Sequence, residues 1–223
     1  MDLGKSYDFF KPEDVKDTIH ILGCGATGST LAENLVRFGI TNIELYDFDR
    51  VDSHNIANQM FRAIDIGKLK TEALKEYLVE INPECDGIVL HSEGYTDQPL
   101  SGYVFLCVDN IDLRREIATA NKYNPAIKAM FDFRIRLTDA QAYAADWTNG
   151  KMIDSFLRSM NFTQEEGLAE APMSACNMML SVNPTIRAIV AHGVANFVNF
   201  VKGEALHKTI TEDIFKYTLD AFV

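Results

Sequence analysis

The sequence predicts an α/β fold: a Rossmann-like, mostly parallel sheet with helices on both faces, extended by antiparallel strands toward the C-terminus. Short apolar runs alternate with segments of helical periodicity through the first half of the chain, as in a parallel sheet covered on both faces. A glycine-rich turn follows the first apolar run. A length of 223 residues, 47% of them hydrophobic, suits one core. We therefore treat residues 1–223 as a single domain.

The first half of the chain predicts alternating strands and helices. Residues 18–22 form a β-branched apolar run, which predicts a strand, and residues 26–38 carry apolar side chains at helical spacing until Gly39 ends the helix. Residues 43–46 predict a second strand. The same reasoning predicts a helix over residues 68–81 that ends at Asn82-Pro83, strands over residues 87–90 and 103–108, and a helix over residues 111–123.

The second half of the chain changes character. Residues 126–133 and 140–147 resemble a strand pair, whereas residues 149–183 are irregular and rich in methionine, which indicates a crossover or a lid-like excursion. Pro184 opens a long apolar segment that predicts a buried helix ending at Gly203. The tail over residues 209–222 adds a strand or a helix at the edge.

Composition excludes several classes of partner. The net charge of −11, from 32 acidic and 21 basic residues, disfavours nucleic acid and anionic membrane surfaces. Apolar stretches fall short of the roughly 20 residues that a membrane span needs, and the N-terminus shows no secretory signal. Four cysteines without a C-x-x-C pair suggest a reducing compartment and no structural metal. We expect a cytoplasmic protein.

The glycine-rich turn indicates a nucleotide site. The residues Gly23, Gly25 and Gly28 follow a predicted strand and open a predicted helix, whose backbone amides attract phosphate. Asp47 ends the second strand at the position where an acidic residue of this fold binds the ribose hydroxyls. These features predict an adenosine nucleotide, but they do not by themselves separate NAD, FAD and ATP.

The residues after Asp47 are more specific. Three segments carry a resemblance to the ubiquitin-activating superfamily, whose bacterial members are the ThiF, MoeB and HesA type: Asp47-Phe48-Asp49-Arg50-Val51-Asp52-Ser53-His54-Asn55-Ile56-Ala57-Asn58-Gln59, then Gly67-Lys68-Leu69-Lys70, and then Cys107-Val108-Asp109-Asn110 with Arg114. The resemblance extends from about residue 18 to residue 203, and it includes Ile135-Arg136-Leu137 before the next strand.

The resemblance implies ATP-dependent adenylation of the C-terminal carboxylate of a small ubiquitin-like or sulfur-carrier protein, performed by a homodimer with ATP and Mg²⁺. It implies that Asp47 holds the ribose and that Asp109 binds the magnesium. The implied phosphate and nucleotide contacts are Asn55, Gln59 and Lys70, with Asp49, Asn58, Asn110 and Arg114 beside them. Lys70 and Asp109 would act in catalysis, and Cys176 lies where many relatives place a cysteine that forms a thioester or persulfide.

Each of these residues also has a plainer interpretation. Asn55, Asn58 and Gln59 could cap the backbone of a long loop, and Lys70 could be a solvated helix lysine. Asp109 with Asn110 could be the N-cap of the following helix. Cys176 could be an ordinary free cysteine, because its sequence neighbours supply no cation to lower the thiol pKa. We interpret Cys24 and Cys107 as packing residues.

The chain departs from the family pattern in two places. The family usually has arginine where this chain has Asn58, and no arginine precedes residue 18 to serve as an N-terminal arm. Arg50 or Arg62 could replace the missing charge from another backbone position. The departures favour an alternative function, a nucleotide-binding scaffold of the same family with weakened catalysis. A third interpretation is an NAD- or FAD-dependent oxidoreductase.

Overall fold

The computed structural model describes residues 1–174 and 180–223. Within these residues the strands are β1 (Ile19–Leu22), β2 (Ile43–Tyr46), β3 (Val89–His91), β4 (Gly102–Leu106), β5 (Ile127–Arg136), β6 (Asp139–Asp146), β7 (Thr209–Asp213) and β8 (Thr218–Phe222). The helices are α1 (Ala26–Arg37), α2 (Lys70–Ile81), α3 (Ile111–Ala120), α4 (Gly150–Arg158), α5 (Gln164–Glu170) and α6 (Asn183–Val201).

The strands form one mixed sheet in the order β3-β2-β1-β4-β5-β6-β7-β8. The first five strands in that order are parallel to one another, and β6, β7 and β8 add antiparallel strands at the far side. The predicted fold class is therefore confirmed. All parallel strands end at the same edge of the sheet, and open α/β sheets bind their ligands at this carboxyl edge.

Helices cover both faces of the sheet. On one face α1 packs against α2 and α6, and on the other face α4 packs against β6 and α3. A close approach fixes α6: a Cβ atom on Gly193 would lie 2.2 Å from Cε1 of Phe133, so only glycine fits where this helix crosses β5. The apolar residues on one side of α6, among them Ile189, Val190 and Phe197, are buried because the helix lies on the sheet.

Most differences from the predicted elements lie at their ends. The second helix begins at Lys70 rather than residue 68, and the third ends at Ala120 rather than residue 123. The described part of the crossover contains α4 and α5, and the tail forms the hairpin of β7 and β8 rather than a helix. No helix among the described residues is long and apolar enough to cross a membrane.

Candidate active site

The glycine turn joins β1 to α1 at the carboxyl edge, and each glycine has a different role. Gly23 has a φ of 102°, and an added Cβ atom would lie 2.7 Å from the carbonyl of Cys107. A Cβ atom on Gly28 would lie 1.8 Å from the carbonyl oxygen of Gly23. A Cβ atom on Gly25 would meet nothing within 4 Å. Two glycines therefore permit close packing, and the third leaves the turn open to a ligand.

The N-terminus of α1 faces this opening. Gly25 is the N-cap residue and offers no side chain to the backbone amides of the first turn. Uncapped amides at a helix start, together with the helix dipole, favour a bound anion. The turn can therefore receive a phosphate group.

Asp47 ties the glycine turn to the loop that follows β2. Its Oδ2 accepts a hydrogen bond from the backbone amide of Cys24 at 2.7 Å, and its Oδ1 accepts one from the amide of Asp49 at 2.8 Å. Burial raises the pKa of this carboxyl above its usual value. Each carboxylate oxygen can accept a second hydrogen bond, so the group can still receive ribose hydroxyls.

Lys70 is the first residue of α2, and it is held against the same loop. Its Nζ lies 2.8 Å from Oδ2 of Asp49, and its backbone amide donates to the carbonyl of Asp49 at 2.9 Å. The lysine side chain is 9% exposed, so it is not the solvated helix lysine of the plainer interpretation. The ion pair fixes a positive charge beside the phosphate turn.

The loop residues Asn55, Asn58 and Gln59 have three different environments. Asn55 is buried, and it forms a reciprocal capping box with Asp52, as the plainer interpretation proposed. Nδ2 of Asn58 donates to Oγ of Ser181 at 2.7 Å. Oε1 of Gln59 is buried and has no hydrogen-bond partner within the described residues. Gln59 is thus the one of these three side chains with an unused buried acceptor.

Asp109 and Asn110 follow β4 at the same edge. The side chain of Asn110 accepts a hydrogen bond from the amide of Leu113 at 3.0 Å and caps α3. Asp109 is exposed, and its carboxylate makes no hydrogen bond or ion pair within residues 1–174 and 180–223. The capping role therefore belongs to Asn110, and the carboxylate of Asp109 is available to a ligand.

Arg114 lies beneath the site rather than in it. Its buried guanidinium contacts Asp132, and its Nε donates to the carbonyl of Val108 at 2.7 Å. These contacts order the loop after β4 but leave few donors for a nucleotide, so we assign Arg114 a positioning role instead of the nucleotide contact expected from the sequence.

The partner of Arg114 is a functional residue that was not predicted from the sequence. Asp132 is fully buried between Arg114 and Arg134, whose Nε lies 2.7 Å from Oδ2 of the aspartate. A single acidic residue within the apolar run of residues 129–133 is the signal that could have identified it, because a buried carboxylate requires a charged or hydrogen-bonding partner.

The two arginines proposed as substitutes have other partners. Arg62 contacts buried Asp65 through Nε at 3.0 Å, and its Nη1 lies 2.6 Å from both carboxylate oxygens of Glu80. Nη1 of Arg50 donates to the carbonyl of Gly67 at 2.7 Å. To contact a nucleotide, Arg62 would have to break both ion pairs, so it does not replace the missing arginine in this conformation.

The described cysteines suit packing rather than catalysis. Cys24 and Cys107 are buried, burial raises the pKa of both thiols, and that of Cys107 rises to about 12. Neither forms a thiolate at neutral pH. Cys176 lies outside the described residues.

Comparison with known proteins places these features in a family. A sequence model of the ThiF family matches residues 15–209. The chain is 41% identical over 75 residues to the ubiquitin-like modifier-activating enzyme 5 of Arabidopsis thaliana, covering 34% of this chain and 17% of that protein. It is 39% identical over 74 residues to the tRNA threonylcarbamoyladenosine dehydratase of Bacillus subtilis, covering 33% of this chain and 29% of that protein. The chain thus spans less than a third of either relative.

Solved structures share the fold. The crystal structure of PaaA superposes with a TM-score of 0.72 at 16% identity, covering 99% of this chain and 68% of PaaA. The structure of MccB from E. coli with ATP superposes with a TM-score of 0.69 at 19% identity, covering 94% of this chain and 64% of MccB.

Proposed function

Because the chain belongs to the ThiF family, we propose that it catalyses the ATP-dependent adenylation of a carboxylate, and that this carboxylate is the C-terminus of a small ubiquitin-like or sulfur-carrier protein. Two comparisons support the proposal. The chain resembles ubiquitin-like modifier-activating enzymes, and it shares its fold with MccB, which has been solved with ATP and with MccA.

The position of Asp47 is the observation that carries the proposal. Its carboxylate bonds to the amide of Cys24 in the phosphate turn and to the amide of Asp49 in the following loop. A ribose bound at Asp47 would therefore lie beside the turn that receives phosphate, and Lys70, fixed to Asp49, would lie on the same side. This is the arrangement that an adenosine triphosphate requires.

In the proposed reaction, a carboxylate oxygen of the substrate attacks the α-phosphorus of ATP. The new oxygen–phosphorus bond gives the acyl-adenylate, and the bond to the β-phosphate oxygen breaks to release pyrophosphate. The amides of the first turn of α1 and the ammonium of Lys70 stabilise the negative charge that develops on these oxygens. Asp47 holds the nucleoside so that attack is in line.

The residues present fit a magnesium ion. Mg²⁺ is usually held by one or two carboxylates together with substrate phosphates, and the exposed carboxylate of Asp109 has no partner within the described part of the chain. We propose that Asp109 holds the ion. The metal would supply charge neutralisation on the polyphosphate.

A later thiol step is a separate proposal. In it, the thiolate of Cys176 attacks the acyl carbon of the adenylate, which forms a thioester and releases AMP. In the variant for a sulfur-carrier substrate, Cys176 first takes a sulfane sulfur from an external persulfide donor, which leaves as a thiol, and the terminal sulfur of the Cys176 persulfide then attacks the acyl carbon and displaces AMP. Replacement of Cys176 by alanine would remove the thiol-labile product and leave adenylate formation intact. We also propose a cytoplasmic homodimer, the assembly that the resemblance implies.

A trapping assay tests the adenylation step. The protein is incubated with MgATP and hydroxylamine together with purified ubiquitin-like or sulfur-carrier proteins, each with a free C-terminus and, as the matched control, with an amidated C-terminus. We expect pyrophosphate release and a hydroxamate with the free carboxylate alone, because an amide cannot attack the α-phosphorus. Pyrophosphate release that does not depend on the free carboxylate would contradict the proposal.

The neutral side chain at Asn58 favours a second candidate function, a nucleotide-binding scaffold with weakened catalysis. Asn58 is bonded to Ser181, and Arg62 is bonded to Asp65 and Glu80, so neither offers a cation to the polyphosphate. Such a scaffold would bind ATP and release no pyrophosphate with any substrate that presents a carboxylate.

A further inference from the structure

The N-terminus of α6 lies at the same edge of the sheet as the phosphate turn. Near the other end of α6, Phe197 packs on Tyr103 at the start of β4, with ring centroids 5.0 Å apart. The chain just before α6 reaches the carboxyl edge, because Ser181 pairs with Leu137 beyond the end of β5 and accepts the hydrogen bond from Asn58. The start of α6 therefore lies at the edge of the sheet that carries the glycine turn.

A buried carboxylate lies between these two helices. The amide of Met60 donates to Oγ of Ser29 at 3.1 Å, so the loop that contains Asn58 crosses the first turn of α1. Glu33 lies one turn further along α1 and is buried. Its Oε1 accepts a hydrogen bond from Nε of Arg37 at 2.7 Å, whereas its buried Oε2 has no hydrogen-bond partner within the described residues.

Arg187, in the second turn of α6, faces this unsatisfied oxygen but does not bond to it. The nearest contact joins Nη1 of Arg187 to Oε2 of Glu33 at 3.6 Å, which is too long for a hydrogen bond. Nε donates to Oδ1 of Asn183 at 3.1 Å. The side chain is 43% exposed, and neither terminal nitrogen donates a hydrogen bond within residues 1–174 and 180–223.

The guanidinium of Arg187 matters because the cationic groups of Lys70 and Arg62 are already paired with carboxylates. A bound triphosphate would lie near Asp47 and Asp49, and the ammonium of Lys70 is already paired with Asp49. Arg62 is bound to Asp65 and Glu80. Arg187 therefore combines three properties that the other two cations lack together: exposure, unused terminal donors and a position on a helix whose first turn lies at the site.

We propose that Arg187 is a phosphate-binding residue of this site, and that its guanidinium moves from Glu33 to the β- and γ-phosphate oxygens when ATP binds. The inference rests on the proposed function and extends it by naming the source of the positive charge that Asn58 does not supply. Without nucleotide, Arg187 offsets the charge of Glu33. With nucleotide, the planar guanidinium can bind phosphate oxygens in pairs.

Calorimetry with two nucleotides tests the proposal. MgATP and AMP are titrated into the wild type and into Arg187→Gln, and Arg158→Gln serves as the control because Arg158 is an exposed arginine of α4, on the opposite face of the sheet. We expect Arg187→Gln to bind ATP about tenfold or more weakly, the size of one lost charge-assisted hydrogen bond. Its affinity for AMP is unchanged, because AMP lacks the β- and γ-phosphates.

Two further variants separate a direct contact from a structural effect. Arg187→Lys keeps the charge and retains part of the ATP affinity. The double variant Asn58→Arg with Arg187→Gln recovers ATP affinity, because it returns a guanidinium to the same part of the site from the loop.

Three outcomes would overturn the inference. In the first, Arg187→Gln binds ATP as the wild type does. In the second, Arg187→Gln loses affinity for ATP and AMP equally, which indicates a distorted fold. In both cases the wild type still binds ATP, so the result contradicts the role of Arg187 but not the proposed function. In the third, the wild type binds no ATP, and the proposed function fails together with the inference.

Discussion

At the scale of single residues, the site depends on close contacts that admit no larger side chain. Gly28 faces the carbonyl oxygen of Gly23, whereas Gly25 faces open space. The role of these glycines in a turn could be predicted from the sequence, because they lie between a predicted strand and a predicted helix. It could not predict which glycine is required for packing and which leaves room for a ligand, since that depends on the backbone of neighbouring strands.

The two glycines give a matched pair of variants. We expect Gly28→Ala to destabilise the fold by several kcal/mol or to prevent folding, because its Cβ atom would overlap the carbonyl of Gly23. Gly25→Ala lowers the free energy of unfolding by about 1 kcal/mol or less, the cost of alanine at a helix N-cap, but it weakens ATP binding, because its methyl group occupies the open side of the turn. Urea unfolding and calorimetry measure the two effects. A Gly25→Ala variant that binds ATP normally would contradict the assigned approach of the phosphate.

Contacts between side chains of different elements were the part of the site that could not be predicted from the sequence. Asp132 on β5 forms an ion pair with Arg114 on α3, and Asn58 forms a hydrogen bond with Ser181 across a sequence separation of 123 residues. A sequence shows which side chains are charged, but which of them meet depends on strand register and helix packing. The ion pairs of Arg62 with Asp65 and Glu80 could not be predicted from the sequence for the same reason.

At the scale of elements, strands and helices with strong periodicity were predicted closely and weakly patterned segments were not. The strand over Ile43–Tyr46 has the predicted bounds. The sequence allows either a strand or a helix over the tail. The structure shows the reason: all residues of β8 are exposed, so no buried face imposes an apolar pattern on the sequence. Its structure comes from pairing with β7, an interaction that local sequence does not encode.

The contact between α6 and β7 gives a prediction about pH. Glu212 is buried on β7, its Oε2 lies 3.2 Å from Nε2 of His192 on α6, and burial raises its pKa from 4.5 to about 7. Since the pKa of this carboxyl is higher in the folded state, its contribution to stability is complete below about pH 4.5 and is lost as the pH rises through about 7.

Glu212→Gln should remove this dependence. We expect the free energy of unfolding of the wild type to fall relative to that of Glu212→Gln between pH 5 and pH 8, approximate limits that span the pKa change, because glutamine does not ionise. Urea unfolding at several pH values measures the difference. Burial lowers the pKa of His192, so the histidine acts in the opposite direction, and parallel pH profiles of the two proteins would contradict the role of Glu212.

At the scale of the whole molecule, the fold class and the edge that carries the site followed from the sequence, because alternating strands and helices allow few arrangements. The contacts between the start of α6 and the first half of the chain could not be predicted in this way. Ser181 contacts Asn58 in the loop after β2, and Arg187 faces Glu33 of α1, only because α6 lies beside α1 on one face of the sheet. Long-range packing of this kind brings the C-terminal third of the chain to the site.

The most direct test of the nucleotide site is isothermal titration of MgATP into the wild type and into Asp47→Ala, with NADH titrated into both proteins for comparison. We expect the wild type to bind ATP and not NADH, and Asp47→Ala to lose ATP binding, because the Asp47 side chain holds the turn and the loop together and is the proposed ribose ligand. Binding of NADH instead of ATP, or ATP binding that survives in a folded Asp47→Ala protein, would contradict this assignment.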